Sequence, residues 1–212
     1  METVKATMGF VELMAAGKFL SNADLVKNVE PILPRGAFLA VWATIGIIGA
    51  LWLFGAVRLP TVHDGQIGWL RRGFGVAFFA FSLLFLTGVD GRPLGRIESF
   101  LPPIAMSATS GGATANTDYE ASLRQARLEG KPLLVNFTGV TCTNCRLMER
   151  YIFPAPEVKQ VLDGMVVSEL YTDRQTAGDR SNRALQQKLG GTEALPLYVL
   201  VDADGKVVRK FE

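Results

Sequence analysis

Between Ala37 and Val57 the chain runs for 21 residues without a charged side chain. Inside a bilayer every backbone N–H and C=O must be bonded within its own segment, which restricts such a run to a helix. At 1.5 Å per residue the helix would reach about 31 Å, the thickness of a hydrocarbon core. A second uncharged run, Gly73–Val89, would reach about 25 Å; Arg71 and Arg72 precede it and Asp90 follows it. A third segment, Val4–Leu20, carries Lys5 and Lys18 near its ends and Glu12 in its middle. A carboxylate at the centre of a span costs on the order of 3 kcal/mol. Glu12 must therefore face a partner helix or be neutral, or the segment lies on the surface. Two or three spans are expected within residues 1–98, at about 4–20, 37–57 and 73–89. Arg58–Arg72 holds three arginines against Lys27 and Arg35 in Ser21–Gly36. That bias places the arginine loop in the cytoplasm and everything after Val89 outside. His63, the sole histidine, lies in that loop and reads as a solvated side chain.

The remainder has a different character. Residues 99–116 contain Pro102-Pro103 and a run of small residues from Ser107 to Ala113, the composition of a flexible tether. Residues 117–212 read as one soluble α/β domain. Thr117 to Glu120 has the spacing of a capping box, opening a helix with Tyr119, Leu123 and Ala126 on one face and Gly130 at its end. Strands are expected at Pro132–Thr138, Met165–Tyr171 and Pro196–Val201, with helices at Glu157–Leu162 and Ser181–Leu189. Asp173–Asp179 reads as a loop, and Asp202–Gly205 as the turn of a hairpin whose partner strand is Lys206–Phe211. A net charge of +2 leaves no electrostatic footprint for nucleic acid.

The only two cysteines, Cys142 and Cys145, stand two residues apart where the first of these strands hands over to a helix. Unpaired N–H groups at a helix start favour an anion. CxxC cysteines reach pKa values of roughly 3.5–7.5, against about 8.5 when free. Arg146 adds a positive charge beside them. Cys142 reads as the attacking thiolate and Cys145 as the resolving thiol of a thiol–disulfide exchange centre. A zinc site normally needs four ligands, and a c-type haem needs His after the second Cys, where this chain has Arg146. A purely structural bridge over so small a loop would constrain little.

The stretch Phe137–Arg146 with its CxxC, followed by Leu195-Pro196, resembles the C-terminal domain of the thiol:disulfide interchange protein DsbD family. Met1–Lys5 with Met8–Val11 is similar to the entry to the sixth of that family's eight membrane helices, so the resemblance covers nearly the whole chain. It implies 2–3 transmembrane helices followed by an α/β thioredoxin-like domain, expected to lack its last helix because the chain ends at Glu212, where a thioredoxin fold would continue into a closing helix. It implies a protein-disulfide reductase of the bacterial inner membrane, multi-pass, with the thioredoxin-like domain in the periplasm. Electrons would come from a membrane cysteine pair and go to periplasmic thiol–disulfide proteins, including those of cytochrome c biogenesis. No cofactor is implied beyond a redox-active Cys142–Cys145 disulfide. Pro196 would match the cis-proline beside that disulfide. Glu149 matches an acidic position of the family, at four residues from Cys145 and seven from Cys142, on one helix face. The family often has an acid six residues before the first Cys; here Asn136 stands there and cannot titrate.

Residues 1–141 hold no cysteine, so the membrane pair implied by the family would lie upstream of Met1, and the chain is expected to be a piece of a longer transporter. Other readings stay open at this level: the same chemistry run as an oxidase or isomerase, an assembly factor holding a soft metal such as Cu(I) through the CxxC, or a fragment cut off from its electron donor.

Overall fold

The computed structural model describes residues 2–28, 30–57, 68–103 and 117–212. His63 and the small-residue part of the tether lie outside these. The chain divides into two units, residues 1–24 with 31–104 and residues 25–30 with 105–212.

The first unit is helical: α1 (Glu2–Lys27), α2 (Arg35–Leu53) and α3 (Trp69–Thr87), then a 3₁₀ turn over Gly95–Phe100. Among the described residues, α2 and α3 are the helices long and apolar enough to cross a membrane. The third expected span falls on α1, which begins earlier and ends later than 4–20. Small residues let the helices approach. A Cβ at Gly49 would sit 3.0 Å from the Phe78 ring, and one at Gly75 2.8 Å from Phe54, while one at Gly46 would overlap Ser82 Oγ. Phe38, Leu39, Ala43, Phe85 and Leu101 form the buried cluster. Leu101 and Ser99 are buried and Pro102 accepts a hydrogen bond from Arg35, so the start of the expected tether is part of this unit.

The second unit runs α4 (Tyr119–Glu129), β1 (Leu133–Thr138), α5 (Thr143–Leu147), α6 (Pro156–Leu162), β2 (Val166–Tyr171), α7 (Ala177–Gly190), β3 (Leu197–Val201) and β4 (Val207–Phe211). The sheet order is β2-β1-β3-β4, with β1 parallel to β2 and β3 antiparallel to both β1 and β4. No helix follows β4 among the described residues. Strand alternation sorts β1. Leu133, Val135 and Phe137 enter one core with Leu197, Val199, Val201, Leu170 and α4. Asn136 and Thr138, equally buried, lie on the opposite face.

Local chemistry moved several expected boundaries. Asp118, not Thr117, caps α4, its carboxylate accepting the Ala121 N–H at 3.0 Å. Gly130 ends that helix at φ +63°. The expected loop at Asp173–Asp179 is shorter, because Thr176 caps α7 by accepting the Asp179 N–H at 3.1 Å while its hydroxyl donates to the Asp179 carboxylate. That reciprocal cap starts the helix four residues before Ser181.

Candidate redox site

Cys142 caps α5: its backbone is extended, and its Sγ accepts the Cys145 N–H at 3.1 Å. Cys142 is partly exposed, whereas Cys145, one turn into the helix, is fully buried. The two are joined as a disulfide with their Cα atoms 5.3 Å apart. Cys142 is thus the more exposed of the two, and its sulfur receives an N–H, which favours an anion; Cys145 is closed off from solvent.

The helix then widens. Phe153 N–H bonds to the Met148 carbonyl, five residues back, so Met148–Ile152 forms a π turn. Glu149 lies in that turn and is buried. The spacing argument that put it on a common face with both cysteines assumed a uniform α-helix, and the π turn alters that register. Glu149 is held against the polar face of β1. Its Oε1 accepts from the Asn136 amide at 3.1 Å and the Thr138 hydroxyl at 2.7 Å. Burial pushes its carboxyl above the usual range, against the pull of the Thr138 and Asn136 hydrogen bonds and the Arg146 charge. Arg146 thus acts electrostatically on this carboxyl as well as standing next to Cys145. Tyr198, paired with Asn136 across the β1–β3 ladder, is pushed up to about 12 by burial and by the Glu149 charge.

Pro196 follows a cis Leu195–Pro196 bond. The ladder pairs Phe137 with Leu197. Pro196 is consequently carried to the end of β1 from which the chain turns to Cys142. The buried Gln186 of α7 secures that loop, donating to the Ala194 carbonyl at 2.8 Å.

The structure adds Thr138, Asp173 and Gln186 to the neighbourhood. Thr138 was within reach of sequence reasoning, standing two residues from Asn136 on the same strand face. Asp173 and Gln186 were not: each meets residues joined to it only by tertiary folding. Among the described residues no group of three or more His, Cys, Asp or Glu side chains is placed to share a metal ion. The redox group the fold presents is the disulfide itself.

A CxxC disulfide at the first turn of the helix after β1, in a sheet of this order, is the centre of a thiol–disulfide oxidoreductase, and residues 119–212 match the thioredoxin-like domain family. Over nearly its full length the chain is also similar, distantly but consistently, to proteins called thiol:disulfide interchange protein DsbD. The protein of that name from Cronobacter sakazakii is 29% identical over 98% of this chain and 32% of its own length. The one from Salmonella typhi is 28% identical over 97% and 32%. The chain spans about a third of the length of these curated relatives.

Proposed function

We propose that the protein is the membrane-anchored output end of a disulfide-reducing pathway. It receives electrons from a membrane cysteine pair upstream of this chain and reduces disulfides of periplasmic proteins, those of cytochrome c biogenesis among them. The observation that carries the reading is the pairing of a half-open Cys142, capped by the Cys145 N–H, with a sealed Cys145. Similarity to DsbD proteins along both the helical and the thioredoxin-like units supports the rest.

In the reduced protein the Cys142 thiolate attacks one sulfur of the partner disulfide. A Cys142–partner S–S bond forms, the partner's S–S bond breaks, and its leaving thiolate takes a proton. Cys145 then gives up its proton and attacks Cys142 Sγ. The Cys142–Cys145 bond forms, and the partner's second thiol leaves reduced, two electrons having passed to it. Glu149, one turn beyond Cys145, is the proton acceptor for that second step. Its raised pKa brings it closer to that of a thiol, where a base works best. Pro196, with its cis bond at the Cys142 end of β1, is the proline that packs beside the disulfide in this reading. The upstream pair resets the disulfide by the same two exchanges in reverse.

Replacing Cys145 with Ser should leave attack intact and block release, so that periplasmic proteins accumulate as mixed disulfides on Cys142, separable by non-reducing electrophoresis and lost in a Cys142→Ser control. Failure to trap any thiol-linked species from a reduced Cys145→Ser protein would defeat the reading.

A further inference from the structure

The stretch that delivers Cys142 has no regular structure of its own, yet it is gripped from the side. Asp173, two residues beyond β2, turns its carboxylate into the turn between β1 and α5. Its Oδ1 accepts the Val140 N–H at 3.0 Å. Its Oδ2 accepts the Thr141 N–H at 2.9 Å and the Thr141 hydroxyl at 2.8 Å. Thr172 holds the end of β1, its N–H bonding the Thr138 carbonyl at 3.0 Å. Within the turn, the Cys142 N–H closes onto the Gly139 carbonyl at 3.1 Å. The clamp explains the glycine: a Cβ at position 139 would lie 2.7 Å from Asp173 Oδ2 and 2.8 Å from its Cγ. Three charge-assisted hydrogen bonds from two consecutive residues are far more than a loop needs to turn. They fall on the two residues immediately before the nucleophile.

We propose that Asp173 is a positioning residue for Cys142: its carboxylate fixes the Val140–Thr141 backbone so that the sulfur sits where the Cys145 N–H meets it, and it sets a fixed negative charge beside the exchange centre. The proposal deepens the oxidoreductase reading and rests on it for its biological meaning, though not for its physical content. The consequence has two parts. Loss of the clamp frees the turn and slows attack by Cys142. Loss of the charge alone relieves the thiolate of a like-charged neighbour and stabilises the dithiol form.

The test uses the whole chain in detergent, in reduced form. It measures the rate at which Cys142 reacts with a small aromatic disulfide, and separately the dithiol–disulfide equilibrium against glutathione. Asp173→Ala should slow the reaction about tenfold, as a misplaced reacting atom does. Asp173→Asn keeps the shape and one acceptor oxygen, so it should recover part of that rate while moving the equilibrium toward the dithiol. Gly139→Ala drives the carboxylate aside and should slow the parent, but slow the Asp173→Ala protein less, because there the side chain it displaces is gone. A purely structural aspartate would lower thermal stability while leaving the equilibrium in glutathione unmoved. That result, or equal rates in parent and Asp173→Ala well below their unfolding temperatures, would overturn the proposal. The outcome is separable from the function: if the parent protein fails to reduce insulin yet Asp173→Ala still changes Cys142 reactivity in the stated way, the clamp stands and the oxidoreductase reading falls.

Discussion

Glu149 is a carboxyl whose pKa the fold raises. Burial raises its pKa, and the hydrogen bonds from Thr138 and Asn136 only partly offset that. In the unfolded chain it ionises in the ordinary glutamate range; in the folded chain it keeps its proton to higher pH. Between those two values the folded state binds more protons than the unfolded state, so stability falls as pH rises. The contribution is fully present below the ordinary glutamate pKa and is lost as pH climbs through the raised one. Glu149→Gln keeps an oxygen for Asn136 and Thr138 and has nothing to ionise. It should match the parent at acid pH, exceed it in stability near pH 8, and flatten the decline between. All four tyrosines lie in the thioredoxin-like unit and all three tryptophans in the helical one. Tyrosine circular dichroism during thermal unfolding therefore reads the relevant unit. If Glu149 is the proton acceptor for Cys145, the same variant should slow release of a mixed disulfide on the order of a hundredfold, so stability and activity should move in opposite directions.

At the scale of elements, what was legible in the sequence was what short-range rules govern. The strand ahead of Cys142 announces itself by its apolar run, Gly130 by the left-handed stop it allows, and Cys142 by its place at a strand–helix junction. The π turn that re-aims Glu149, and the meeting of Asp173 with Val140 and Thr141, 33 and 32 residues away, were not legible, because no local period encodes them. The helical unit shows the same limit. Arg35 reads from sequence as a loop charge at the mouth of an apolar run. In the fold it is 7% exposed and makes a two-pronged pair with the fully buried Glu98, at 2.6 and 2.9 Å, while also donating to the Pro102 carbonyl. Glu98 Oε2 further accepts the Leu94 N–H. This pair joins the start of α2 to the 3₁₀ turn after α3. Glu98→Ala would strand a buried guanidinium, at a cost of about 3–5 kcal/mol. A double replacement by apolar residues of similar volume should cost much less. Tryptophan fluorescence on heating in detergent compares the two, and equal losses would mean the charge pair is not what holds this end together.

The Arg35–Glu98 pair also bears on how the chain as a whole is threaded. Two spans in succession return a chain to the face it left, so residues just before α2 and just after α3 must share one side of a membrane. A bond between positions 35 and 98 meets that requirement. It also changes the charge balance used for orientation. Glu98 compensates Arg35, while Lys27 before α2 and Arg92 and Arg96 after α3 are exposed basic residues on that side. At the opposite ends of the helices Arg71 donates to the Trp52 carbonyl at 2.7 Å, placing a cation at the C-terminus of α2, where the helix dipole favours one. The proposed function puts the thioredoxin-like unit, which follows α3, on the outer side of the membrane. Because Cys142 and Cys145 are the only thiols in the chain, this topology can be read without removing any other cysteine. A membrane-impermeant maleimide added to reduced, intact spheroplasts should label this chain on Cys142 without lysis, and Cys142→Ser should abolish most of that label, since Cys145 is sealed. Labelling that requires lysis would place the redox centre in the cytoplasm, where it would meet a thiol-reducing environment and have no use for a supply of electrons drawn through the bilayer.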